Sequence, residues 1–324
     1  MSKKHLTFAV SLIVSCVLIV ALFWNVEWEK FWQVIGTVSY PRLIPFVICG
    51  ALAFPLRALR LKYLLPKSDL SFSTLHAANA VGILASVMLP FRAGEFVRPA
   101  LLQKTGRISF TGALASSVTE RIFDILALLV VFSIALGGRA NLPELAERGV
   151  QVLVVLVSCA GLFVLLGYFK ANLILKSAQT VLKFAPLGLR SKLLKLVEDF
   201  LQGLGGVGSL RALIAAILLS LVIWVLYSIK YYFGFSAFDA QAPLGTGFAL
   251  SSMIGIAVAV PAAPGFVGTY QAGSVAAVSG IYGYNREIAL GFAILTHVLE
   301  LCVLVMVGGA EYFRSRKLNL GKNQ

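Results

Sequence analysis

Long apolar runs recur along the whole chain, separated by short stretches rich in Lys and Arg. A helix needs about 20 predominantly apolar residues to cross the hydrocarbon core of a bilayer. Six runs meet that length: 6–24, 42–62, 109–136, 150–169, 211–231 and 287–313. Two further apolar regions, 74–104 and 246–283, are interrupted by Pro and Gly and predict broken segments. A broken backbone is tolerated at membrane depth only where protein or a water-filled cavity surrounds it. The expected fold class is therefore an all-α polytopic membrane protein, one integral membrane domain over 1–324. It has about six spanning helices and two re-entrant segments. The first run follows Lys3 and Lys4, and no small-x-small cleavage site precedes Trp24-Asn25, so it reads as a retained helix rather than a signal peptide.

Composition agrees. Hydrophobic residues make up 59% and charged residues 13% of the chain, where soluble domains carry about 25% charged residues. Mean hydropathy is +0.88. The net charge of +14 lies between apolar runs, not in a separate basic module, so it points to topology and anionic headgroups. No nucleic-acid partner is expected. Cys16, Cys49, Cys159 and Cys302 all sit in apolar runs and read as buried thiols without disulfide or CxxC spacing.

Charge also sets orientation. With a cytoplasmic N-terminus and each interrupted region returning to the side it entered from, the outer flanks hold Lys30, Arg42, Arg139, Arg148, Lys230 and Arg286. Arg92, Arg98 and Arg121 fall inside segments, leaving 19 of the 28 basic residues, Arg57 and Arg60 among them, on the cytoplasmic side. That asymmetry predicts an inner (plasma) membrane protein with both termini cytoplasmic. The two interrupted regions then enter from opposite faces, so 42–136 and 211–313 form inverted repeats. Pro90-x-x-x-Gly94 echoes Pro264-x-x-x-Gly268 at an offset of 174 residues. Paired broken segments of this kind mark a transporter-type site between repeats. Between the halves, 170–205 mixes leucines with basic residues and reads as amphipathic helices on the cytoplasmic leaflet. Trp28 to Val38 is a shorter amphipathic stretch with Trp28 and Trp32 as interfacial anchors.

The candidate chemistry lies in ionisable residues within apolar segments. Each is costly in lipid and ordinarily faces a cavity or a partner. In the first half these are Arg92, Glu95, Arg98, Glu120 and Asp124, with Arg121 a weaker member. Pro90 and Pro99 bracket a break with Gly94 inside it. Arg92 and Arg98 suit a phosphate, and Glu95 suits either arginine. Glu120 and Asp124 share a helix face and need a facing arginine or a raised pKa. A structural ion-pair cluster that merely closes the break is the alternative. In the second half, Pro264, Gly265 and Gly268 form another break, followed by Tyr270 and Gln271 at a helix start. His297 and Glu300 share a face of the last helix; alone they make only half a metal site, so no metal is expected. His76 and the Gly203 to Gly208 stretch read as structural, the latter as a surface turn. Nothing resembles a Walker loop, a GxSxG elbow or a dinucleotide fingerprint, and no cofactor is expected.

At Leu89-Pro-Phe-Arg-Ala-Gly-Glu-Phe-Val-Arg98, Glu120-Arg-Ile-Phe-Asp124 and Pro264-Gly-Phe-Val-Gly268 the chain resembles the flippase-like membrane-domain family of lysylphosphatidylglycerol synthase. The resemblance covers most of 5–315. It departs from the family's second motif, Pro-x-Gly-Gly-x-Gly followed by Glu, at Phe266 and Gln271. It implies a membrane unit that moves lipid between leaflets. With Gln324 close behind the last helix, no aminoacyl-transferase domain and no catalytic residues are expected.

The leading expectation is a lipid translocase or lipid-binding transporter for an anionic phospholipid or lipid-linked intermediate. The rivals are an intramembrane lipid-modifying enzyme and an accessory subunit of a glycosyl-transfer or synthase pathway. Expected partners are membrane lipids with anionic headgroups, a separately encoded synthase or transferase, and a second copy in a homodimer.

Overall fold

The structure is a computed structural model. It describes residues 26–65, 69–89, 94–137, 161–239, 241–259 and 263–317, with isolated positions between 17 and 24 and between 155 and 159. Most of the expected span 6–24, most of 150–160, and Pro90, Arg92 and Cys16 lie outside the described residues.

The described residues are all helical, with no strand among them. A short helix α1 (Trp28–Gly36) leads through a 3-10 turn into α2 (Ile44–Leu64). Then come α3 (Phe72–Met88), a break, the short α4 (Val97–Gln103) and the long α5 (Phe110–Gly137). The middle of the chain holds α6 (Gly161–Phe169), α7 (Ala171–Val181) and α8 (Leu187–Gly206). The second half repeats the order of the first: a long α9 (Leu210–Ser236), α10 (Gly245–Ala259), a break, the short α11 (Thr269–Val275) with a π turn, and the long α12 (Arg286–Lys317).

Local chemistry explains several boundaries. Ser71 and Ser209 cap α3 and α9 by accepting from the backbone amides of Thr74 and Ala212. Pro55 sits inside α2, where neighbouring helices make such a residue tolerable. At the second break Gly265 and Phe266 both adopt positive φ, 78° and 57°, which turns the chain sharply before α11.

Among the described residues, three helices are long and apolar enough to cross a membrane: Tyr40–Leu64, Leu210–Ser236 and Arg286–Ser315. A fourth crossing exists if Gly161–Phe169 and Ala171–Phe184, bent by 117° at Lys170, form one broken span. Helix α5 has the length, about 42 Å at 1.5 Å per residue, but carries Glu120, Arg121 and Asp124 within five positions. Apolar stripes at helical spacing, such as Ile44, Ile48 and Leu52 on α2 and Ile214, Leu218 and Val222 on α9, face outward. Such surface is unfavourable in water and suits lipid.

The two halves pack reciprocally. Helix α2 lies on α9, α3 on α12, and α5 on α10, so each contact between halves joins corresponding or exchanged positions in the repeated order. The largest core cluster, around Phe46, Phe235, Leu250 and Phe292, lies at this junction.

The 170–205 region forms two helices, but not as a uniform surface layer. Helix α7 buries none of its residues, whereas Phe200, Leu201 and Leu204 of α8 pack against Leu64, Phe123 and Leu213. Gly203 is therefore no surface turn. It lies inside α8, where a β-carbon would overlap the Thr119 hydroxyl and the Ala115 carbonyl. The leucines around it, not its glycine neighbours, decide its conformation.

Candidate functional site

The first charged cluster forms where α2, α3, α4 and α5 meet. Arg98 donates to Ser117 Oγ at 2.7 Å and pairs with Glu120 Oε2. Arg60, almost wholly buried on α2, donates to Asp124 Oδ1 at 2.5 Å and to Ser220 Oγ at 2.8 Å. It also lies 3.6 Å from Glu120 Oε1, so one guanidinium serves both carboxylates of α5. Trp224 Nε1 donates to Asp124 from the other half at 3.2 Å. Arg57, one turn before Arg60, stands 3.9 Å from Asp124. Glu95 accepts from Arg121 at 2.7 Å.

Glu95, Arg98, Glu120 and Asp124 are thus brought together, as their spacing suggested. Asp124, however, pairs with Arg60 of α2, while Arg98 of the broken segment goes to Glu120. Arg57 and Arg60 do not belong to a cytoplasmic flank: they sit within α2, with Arg60 among the most buried large side chains. Among the described residues, Arg57, Arg60 and Arg98 give three guanidiniums against the carboxylates of Glu120 and Asp124. The balance is positive.

A second cluster lies in the other half. Lys230 also leaves its expected flank, because α9 continues to Ser236 and carries it inside. Its ammonium pairs with Glu300 Oε1 at 3.1 Å and lies within 5.1 Å of the ring centres of Phe46, Tyr227 and Tyr231. Those rings stabilise a desolvated cation through their faces. Tyr231 donates to Glu300 Oε2 at 3.1 Å.

Next to it, the second break is held by a closed set of hydrogen bonds. The Gly268 amide donates to Gln271 Oε1 at 2.8 Å, which turns Gln271 Nε2 toward His297 Nδ1 at 3.0 Å. His297 Nε2 lies 2.8 Å from the Gly265 carbonyl, so the donor must be Nε2–H and Nδ1 accepts. Tyr270 stacks on this imidazole at 4.3 Å and donates to Thr296 Oγ1. Pro264 opens the 3-10 turn that this network fixes. His297 is therefore a pin for the broken segment. His76, on α3, bonds Glu311 of α12 at 3.1 Å, a tie between the halves.

Both clusters border one cavity of about 580 Å³ between the halves, within the size range of about 300–1,000 Å³ of small-molecule sites. Arg57, Asp124 and Arg121 line one part, and Lys230, Glu300 and His297 another. Leu128, Ile254, Val303 and Leu304 give it apolar walls. A smaller space of about 50 Å³ adjoins it beside Arg57, Asn79, Arg98 and Glu120. There Asn79 Nδ2 and Glu120 Oε1 are buried without hydrogen-bond partners, a donor and an acceptor suited to bridging water.

Glycosyltransferase AglD from Haloferax volcanii is 21% identical over 98% of this chain, and the chain spans 55% of that protein's length. No solved structure matches. Residues 8–308 match the family model described as the lysylphosphatidylglycerol synthase TM region, and with nearly its whole length matched the chain belongs to that family.

Proposed function

We propose that the chain is a lipid translocase, or a lipid-binding transporter, for an anionic phospholipid or lipid-linked intermediate. The observation that carries the reading is the cavity of about 580 Å³ between the halves, apolar along its walls and charged where Arg57, Asp124, Lys230 and Glu300 border it. A headgroup fits the charged rim and hydrocarbon the walls. Glu95, Arg98, Glu120 and Asp124 set the charge of one side, with Arg92 an expected contributor. Pro264, Gly265, Gly268, Tyr270, Gln271, His297 and Glu300 shape the other. The relative's name favours a second reading, service to a glycosyl-transfer step with a lipid-linked sugar as cargo.

Purified protein in vesicles separates the two. Transbilayer movement of labelled lipid without any change in lipid mass supports translocation, and altered mass supports an enzyme. Within the first reading, Arg98→Ala and Glu120→Gln are expected to lower transport at least tenfold while the protein still inserts. Unchanged transport in well-folded variants would remove these residues from the mechanism.

The repeated helix order and the reciprocal packing support two repeats; in this reading they are inverted, with about six spans, two further re-entrant segments and both termini in the cytoplasm. Single cysteines placed near Lys104 and near Tyr284 are then expected to react with impermeant reagents from opposite faces of the inner membrane. Labelling of both from the same face is the contrary result. The 117° bend at Lys170 and the outward Leu173, Val181, Phe184 and Leu187 suit helix α7 and the start of α8 lying along the cytoplasmic leaflet.

A further inference from the structure

We infer that Arg57 is the phosphate-binding residue of the cavity, and that its ligand is an amphiphile carrying a phosphate ester. This rests on the lipid-handling reading above and names the headgroup chemistry it requires. Three observations separate Arg57 from the other cations. First, Arg60 and Arg98 have their guanidiniums engaged by carboxylates and hydroxyls, and Lys230 is held by Glu300. Among the described residues Arg57 has no carboxylate or hydroxyl at hydrogen-bond distance: the Asp124 carboxylate is 3.9 Å away, and the Arg57 Nε, like that of Arg60, is buried without a hydrogen bond. Second, among the described residues Arg57, Arg60 and Arg98 exceed Glu120 and Asp124 by one positive charge, and Asp124 is already satisfied by Arg60 and Trp224. An anion at Arg57 would restore balance without displacing an existing pair. Third, Arg57 lines both the 580 Å³ cavity and the 50 Å³ polar space beside it, so it stands where a headgroup and its chains would divide.

The surroundings fit a phosphate. A planar guanidinium with open donors binds phosphate oxygens two at a time. Its carbon lies 5.8 Å from the centre of the Tyr227 ring, and the Lys230 ammonium lies 5.1 Å from the same ring. The two cations are thus within about 11 Å of each other. Leu128, Ile254 and Leu304 are apolar parts of the same wall and would contact hydrocarbon.

The test is lipid binding to the purified full chain in detergent, read by melting-temperature shift and native mass spectrometry. The probes are dioleoyl phosphatidic acid, dioleoylglycerol with the same chains and no phosphate, and inorganic phosphate alone. Wild type is expected to bind phosphatidic acid at least tenfold more tightly than dioleoylglycerol. Arg57→Ala is expected to weaken phosphatidic acid binding roughly tenfold to a hundredfold, the range for losing a charged hydrogen bond. Dioleoylglycerol binding and the ligand-free melting temperature should hold, because Asp124 keeps Arg60. Arg57→Lys should bind with intermediate affinity, and Arg57→Gln serves if alanine impairs folding. Wild-type affinity for phosphatidic acid in a folded variant overturns the assignment. Equal binding of both lipids to wild type also overturns it, while leaving the lipid reading intact. Inorganic phosphate binding as tightly as phosphatidic acid, and lost in Arg57→Ala, keeps Arg57 and removes the lipid reading.

Discussion

Replacement of Arg60 by alanine is expected to cost about 3–5 kcal/mol, the usual penalty for leaving a buried charge unpaired. Arg60 is 1% exposed and is the side chain that Glu120 and Asp124 share. Its loss leaves Arg98 on Glu120 and a 3.9 Å Arg57 contact on Asp124, neither placed to take over both carboxylates. The measurement is the melting temperature in detergent of Arg60→Ala, Asp124→Ala and the double variant. The double variant should be less damaged than the two single effects added, since it removes both members of one pair. Strict additivity would contradict the shared pairing.

Gly94→Ala is expected to be nearly as severe, at about 3 kcal/mol, the upper part of the range for overpacking. Gly94 lies where the broken segment turns back along α3, and a β-carbon there would overlap the backbone of Ala85 and Ser86. Backbone cannot swing aside as a side chain tip can. The segment would have to lift, taking Glu95 from Arg121 and Arg98 from Glu120 and Ser117. Gly106, with open space around it, is the control, although its φ of +70° makes Asn the apt replacement. Equal melting temperatures for Gly94→Ala and wild type would mean that the segment does not dock as described.

The breaks were legible because Pro and Gly interrupt apolar runs, and the helices do stop at Met88 and Ala259. The Glu120 and Asp124 face was legible from its spacing of four, and one expected partner, Arg98, meets Glu120. Arg60 was hidden by the assumption that a basic residue near the end of an apolar run belongs to a flank. Helix α2 runs to Leu64, so Arg57 and Arg60 share an inward face one turn apart. Their spacing of three, matched to acids spaced four apart on another helix, was the available signal. Lys230 misled in the same way. Tyr227, three residues back on its own face, and the adjacent Tyr231 were the available signal for a caged cation, but Phe46 and Glu300 come from distant segments that only the packing brings close. The departure at Gln271 from the family's acidic position also becomes intelligible. Its amide joins the Gly268 backbone to His297, a two-sided bond that a carboxylate, having no donor, could not make.

On the proposed function, lipid passes through the cavity between the halves. Filling it is the most direct test. Leu128 lines the cavity, whereas Leu218 faces outward from α9 and lies away from it. Leu128→Trp and Leu218→Trp, each reconstituted into vesicles, are to be compared with wild type for the rate at which a fluorescent anionic phospholipid changes leaflet. Wild type and Leu218→Trp are expected to move it at similar rates, with Leu128→Trp at least tenfold slower and normally folded. Equal rates for Leu128→Trp and wild type would contradict the claim.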